Sequence, residues 1–271
     1  MRIGIIGGGT IARLFLEHIA TGELGDAQVV AILGRAESER SRALAGQYGV
    51  SFVTDISAFI AARPTAVVEA AGHACVRDYA EVLLSAGIAL IVLSAGAMAD
   101  DALRGRMEAA ARSSGAPLYV PSGGIGALDA IKAAAVAGVD EVEIRSSKPP
   151  PAWKGITYVE SLGIDLDHLS APYVLYAGPA RAGVNHFPQN VNIAAVLSMA
   201  GIGFDRTRLV AVADPGIIAN THVISAKGKT GEISITLQNV PAPENPKTAW
   251  LACYSALAAL KQLQSPIRYG T

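Results

Sequence analysis

Gly7, Gly9 and Ala12 stand in a G-x-G-x-x-A arrangement within RIGIIGGGTIARLFLEHI, between a short apolar run and a helical pattern. Each position has a physical task. Gly7 permits a tight turn, Gly9 lets a pyrophosphate approach the backbone, and Ala12 lets helix and strand pack closely. The N–H groups that open the following helix, at Thr10, Ile11 and Ala12, add donors and a partial positive charge. This predicts a dinucleotide site made of Gly7, Gly9, Thr10, Ile11 and Ala12. An ordinary glycine turn is the competing explanation, and the strand–turn–helix context speaks against it.

The end of the second apolar run, Val29–Leu33, bears on which dinucleotide is bound. An acidic residue there would hold a ribose diol. The chain has Gly34–Arg35, with Glu37 and Glu39 following. Arg35 either pairs with a 2′-phosphate or is simply solvent-facing, so NAD and NADP both stay open.

Five histidines offer acid–base chemistry. His18 lies in the first helical stretch and His168 in the polar DLDHLS segment, so packing or exposure accounts for both. His73 follows an apolar strand and falls at the carboxyl edge of a sheet, where ligands bind; helix capping explains it equally well. His186 precedes Phe187–Pro188. His222 opens an alternating run after DPG, which would let a rigid strand present it to a site. An unperturbed imidazole, with a pKa of about 6.5, suits proton exchange near neutrality. A buried or surface histidine of no chemical role remains the alternative at this point. Lys148, Arg145, Arg181, Lys227 and Lys247 are candidate cations for an anionic substrate, with nothing to rank them.

Positioning these groups requires a core, and 51% hydrophobic residues in 271 are enough for one. Over residues 1–120, short β-branched runs alternate with Ala-rich helical stretches, which predicts an α/β doubly wound parallel sheet. From Pro121 the pattern changes. Glu141–Ser146, Leu209–Ala213, His222–Ala226 and Glu232–Leu237 alternate as strands, predicting a second α/β domain over 121–245 with a largely open mixed sheet. The prolines of Lys148–Pro151 predict an extended connection and Pro241–Pro246 a loop. A helix over Lys247–Leu263, within a C-terminal 246–271 segment, is expected to pack back on the first domain.

Twenty-two basic against 23 acidic residues leave a net charge of −1, which offers no electrostatic case for nucleic acid or an anionic membrane. The longest apolar runs are too short to span a bilayer. Cys75 and Cys253 lie far apart in the chain. They predict free thiols in a reducing cytoplasm. No spacing predicts a metal site, a hydrolase elbow or a Walker lysine.

Pro121–Lys132 (PSGGIGALDAIK) resembles the corresponding segment of L-aspartate dehydrogenases. So do Glu69–Cys75 (EAAGHAC), Asn185–Ala195 (NHFPQNVNIAA), Asp214–His222 (DPGIIANTH) and Asn245–Thr248 (NPKT). The resemblance implies a Rossmann domain followed by an α/β catalytic domain. It also implies a homodimer and reversible NAD(P)-linked conversion of L-aspartate to iminoaspartate, which hydrolyses to oxaloacetate and ammonia. It assigns cofactor contacts to Gly124 and Asn190 and the acid–base role to His222. The chain departs from the family at Gly124, more often alanine, at Ala127, often glycine, and at Ala249, commonly serine. The alternatives are a related two-domain dehydrogenase for another amino or hydroxy acid, and a non-catalytic dinucleotide sensor that would not need His222.

Overall fold

The computed structural model describes residues 1–188, 191–242 and 245–267, with the backbone alone at 241, 242 and 245–248. The chain forms two compact units, one of residues 1–121 with 253–267 and the other built on residues 122–252.

In the first unit the strands and helices alternate. They are β1 (Arg2–Ile6), α1 (Thr10–Ala20), β2 (Gln28–Leu33), α2 (Glu39–Gln47), β3 (Ser51–Val53), α3 (Ile56–Ala61), β4 (Ala66–Glu69), α4 (His73–Ser85), β5 (Ala89–Val92), α5 (Asp101–Ser114) and β6 (Leu118–Tyr119). The strands form one parallel sheet in the order β3-β2-β1-β4-β5-β6. β4 and β5 are buried throughout, as expected of strands covered on both faces. The order reverses between β1 and β4, which places a ligand crevice outside their carboxyl ends. α4 begins at His73, three residues before the Val76 that opens its apolar pattern, because Gly72 (φ 151°) turns the chain directly into the helix.

The second unit contains α6 (Leu128–Ala137), β7 (Val139–Lys148), α7 (Thr157–Ser161), β8 (Tyr173–Pro179), α8 (Ala180–His186), α9 (Asn192–Ala200), β9 (Thr207–Ala213), β10 (Asn220–Gly228), β11 (Gly231–Asn239), β12 (Pro241–Ala242) and β13 (Asn245–Ala249). A mixed sheet runs in the order β11-β10-β7-β9-β8, with only β7 and β9 parallel. Val142, Ile144, Leu209, Ala211, Ile224 and Ala226 are buried on one face. α6, α8 and α9 cover that face, with α8 so close that a side chain at Gly183 would strike Leu209. Arg145 and Glu143 alternate onto the opposite face.

Two local expectations are corrected. After an extended Pro149, residues Pro150–Trp153 close into a single 3-10 turn, in which proline is tolerated because the first N–H groups of a helix have no intrahelical partner. Pro241–Pro246 is not all loop, since β12 and β13 pair there. The last helix, α10 (Trp250–Gln264), therefore starts after that pairing. Ala256, Leu257, Ala259 and Leu260 of α10 lie in the same core as Ile3, Ile5, Ala12 and Phe15. No described helix is long and apolar enough to cross a membrane.

Candidate functional site

In the first unit, the turn after β1 is built from three successive glycines with three different constraints. Gly7 donates its N–H to Leu33 O at 2.9 Å, adopts φ 101°, and a Cβ there would lie 3.0 Å from Ala70 O. A Cβ on Gly8 would lie 2.5 Å from Ser41 Cα, so the first turn of α2 sits directly on this residue. Gly9 is different. A Cβ there would meet only Arg40 Nη2, at 3.8 Å, and Gly9 caps α1 without any side-chain acceptor. Thr10 and Ala12 are buried beneath the turn, and Ile11 is half-buried. Gly9 therefore leaves open the approach that a pyrophosphate needs, and the residues present fit a dinucleotide.

Arg35 stands at the end of β2 with its side chain 84% exposed and Nε 3.5 Å from Glu37. An acidic side chain could not replace Gly34, whose Cβ would lie 2.9 Å from Phe52 and 3.0 Å from Ser41 Cβ. Arg40, which no motif marks, is exposed at the rim of the same turn. No spacing rule pointed to it, because its nearness to Gly9 comes from α2 folding back on the turn.

Glu69 organises the adjoining edge. Its carboxylate is buried and accepts hydrogen bonds from Ala71 N at 2.9 Å, Gly72 N at 2.8 Å, and the N and Oγ of Ser94 at 3.0 Å each. The loops after β4 and β5 are thereby tied together. The signal available in the sequence was an acid closing an otherwise apolar strand. His73 is half-buried in the first turn of α4.

In the second unit, His222 and Ser146 face each other across β10 and β7. Residues opposite one another on antiparallel strands share a face, and Lys148, two residues beyond Ser146, shares it as well. His222 is 2% exposed and Lys148 3% exposed. His222 Nδ1 and Ser146 Oγ are buried without a hydrogen-bond partner, an arrangement that costs about 1–3 kcal/mol per group. Burial, and then the Lys148 charge, push the His222 pKa down to about 3. Burial lowers Lys148 to about 8. The expectation of an unperturbed imidazole is thus corrected: before substrate binds, His222 is held neutral at every moderate pH. Trp153 braces this end of the sheet, donating Nε1 to Val212 O at 3.0 Å and lying 5.5 Å from Lys148 Nζ.

The other cations sit elsewhere. Arg181 makes a two-pronged pair with Asp205 at 2.7 and 2.8 Å, Lys227 pairs with Glu232 at 3.0 Å, and Arg145 is exposed. The side chain of Lys247 lies outside the described residues, as does Asn190 altogether. His168 is exposed and bonded to Asp165, and His186 stacks on Tyr158 with ring centres 4.0 Å apart. His18 packs edge-on against Tyr254.

Gly124 is buried in the glycine turn before α6, and its carbonyl accepts the Asn239 side-chain amide at 2.5 Å. Asn239 pairs with Asn220 at the same end of the sheet. A Cβ at Gly126 would touch Leu237, which pairs with His222. The turn thus lies over the sheet end that carries His222. Ala127 occupies the left-handed region at φ 54°.

A family model for the aspartate dehydrogenase C-terminal domain matches residues 129–263, and one for the homoserine dehydrogenase NAD-binding domain matches residues 7–121. L-aspartate dehydrogenase 2 of Bordetella pertussis is 43% identical over 266 residues, covering 96% of each chain. L-aspartate dehydrogenase of Methanocella arvoryzae is 38% identical, covering 100% of this chain and 99% of its own. The crystal structure of aspartate dehydrogenase from Thermotoga maritima superposes with a TM-score of 0.77 at 27% identity, covering 100% of this chain and 99% of that one. With both halves matched and this identity sustained end to end, the chain belongs to the aspartate dehydrogenase family.

Proposed function

We propose that the protein is an NAD(P)-dependent L-aspartate dehydrogenase, interconverting L-aspartate with iminoaspartate and thence oxaloacetate and ammonia. Residues 1–120 are the dinucleotide domain, with Gly7, Gly9, Thr10, Ile11 and Ala12 at the pyrophosphate. Residues 121–245 are the substrate and dimerisation domain, with Gly124 and Asn190 contributing to the cofactor. The observation that carries the reading is the buried, neutral imidazole of His222 on a rigid strand.

Bound NAD(P) supplies a hydride acceptor at nicotinamide C4. His222 supplies the proton chemistry. The amine of L-aspartate must be neutral for its lone pair to assist hydride departure from Cα, and a neutral imidazole accepts the ammonium proton. Once that proton has passed to solvent, the imidazole takes a proton from the water that attacks the imine carbon and returns it to the nitrogen, so that the carbinolamine collapses to oxaloacetate and ammonia. Arrival of an anionic substrate beside Lys148 would raise the affinity of His222 for that proton, since a negative charge favours the protonated form.

Arg35 and Arg40 support use of NADP beside NAD, because β2 is followed by Gly34–Arg35 with no acid, and Arg40 borders the turn. Two free thiols support a reducing, cytoplasmic setting, and the family resemblance supports a homodimer. The test is NADH or NADPH oxidation with oxaloacetate and ammonium, for the wild type and His222→Ala. Turnover by the wild type, lost in a variant that still binds cofactor, is the expected result. Tight cofactor binding without turnover by the wild type would sink the proposal.

A further inference from the structure

We propose that Lys148, with Ser146 beside it on β7, receives a carboxylate of the amino-acid substrate on the sheet face that presents His222. The inference rests on the function proposed above and names the group that recognises an acidic substrate.

Three observations converge on it. The first is register: Ser146 lies opposite His222, and Lys148 is the next residue of β7 on that face. The diagonal separation of such residues, roughly 7–8 Å between Cα atoms, matches one small molecule held by a long side chain and an imidazole together. The second is chemical composition. Lys148 is 3% exposed, and the other buried polar side chains of this unit, among the described residues, are serines, a threonine, asparagines and His222. None is acidic, so a substrate carboxylate would bring the opposite charge into this buried set. The third is hydrogen-bonding capacity: Ser146 Oγ and His222 Nδ1 are buried with no partner. A carboxylate accepts from the Lys148 ammonium and the Ser146 hydroxyl, which leaves the substrate amine to the imidazole.

The backbone suits this duty. Lys148 ends the longest strand of the sheet, and Trp153 clamps that end by donating to both Lys148 O and Val212 O. Arg181 and Lys227, engaged with carboxylates of their own, lack both the burial and the shared face.

The experiment compares wild type, Lys148→Met and Lys148→Gln by steady-state kinetics with L-aspartate and by calorimetric binding of succinate, an unreactive dicarboxylate, with NADH present. In the Met variant KM for L-aspartate should rise about 50-fold or more and succinate affinity fall alike, while kcat drops less than about fivefold. NADH affinity should not move, and the Gln variant should fall between. Unchanged KM and succinate affinity in a folded Met variant would overturn the proposal, as would a loss confined to kcat. If the wild type turns over no aspartate, the functional reading fails, and succinate binding still decides the role of Lys148.

Discussion

Lys148 and His222 share one sheet face, and the charge of the first adds to burial in holding the second neutral, with a pKa near 3. Two groups that each favour their uncharged form inside the protein make its stability depend on pH in separate windows.

For His222 the folded pKa lies below the unfolded value of 6.5, so the folded state binds this proton less well. Stability from this group is fully present above about pH 6.5 and is lost as pH falls towards 3. His222→Gln should flatten the acid limb, with up to about 3 kcal/mol of difference developing by about pH 4. Urea melts at several pH values would measure it. Parallel curves for the two proteins would contradict the assignment.

For Lys148 the folded pKa is lowered from 10.5 to about 8. Stability is highest above the unfolded pKa, falls as pH drops through this window, and stays at its floor below about 8. Lys148→Met should therefore melt at the same or a higher temperature at neutral pH, by at most about 3 kcal/mol, although its substrate affinity is poorer. A strong loss of stability in thermal melts would make Lys148 a structural residue.

The three glycines after β1 should separate under substitution. Gly8→Ala would force a Cβ within 2.5 Å of Ser41 Cα, so it should destabilise the first unit by about 1–3 kcal/mol. Gly9→Ala meets only the end of Arg40 at 3.8 Å and should fold normally while losing cofactor affinity tenfold or more. Melting temperature and NADH titration together would distinguish them, and the reverse pattern would refute the division of roles.

Ala127 holds a left-handed conformation at φ 54° that glycine adopts without a Cβ clash. Ala127→Gly should stabilise the protein by about 0.5–1 kcal/mol, the relief of strain outweighing the added chain entropy. Denaturant midpoints would show it, and destabilisation would mean that the entropy term wins.

Cofactor choice is tested by Arg35→Ala and Arg40→Ala. Each should raise the KM for NADPH about tenfold and leave that for NADH within about twofold. Equal effects on both cofactors would assign the arginines to the shared pyrophosphate instead.

Much of this architecture was written in local pattern. The apolar runs of β1, β4 and β5 and the alternation of β10 reported their own burial, because a strand covered on two faces must be apolar throughout and one covered on a single face must alternate. The glycine turn declared itself because its spacing meets a backbone requirement. Residues 157–186 carried no periodic signal, yet α7, β8 and α8 form there, with Gly178 and Pro179 punctuating the last two and tertiary packing outweighing weak propensity. Likewise β12 and β13 arise where prolines suggested a loop.

The amino-acid sequence by itself determined the α/β plan, the place of the dinucleotide turn, and the strand that presents His222. These depend on periodicity and on the conformational limits of single residues. Only the tertiary structure decided which of several cations is buried on the histidine face, why Gly8 must be glycine, and that Arg40 reaches the turn. Each of these is a contact between segments far apart or on different elements, and burial, charge coupling and close approach come into being only when the chain has brought them together.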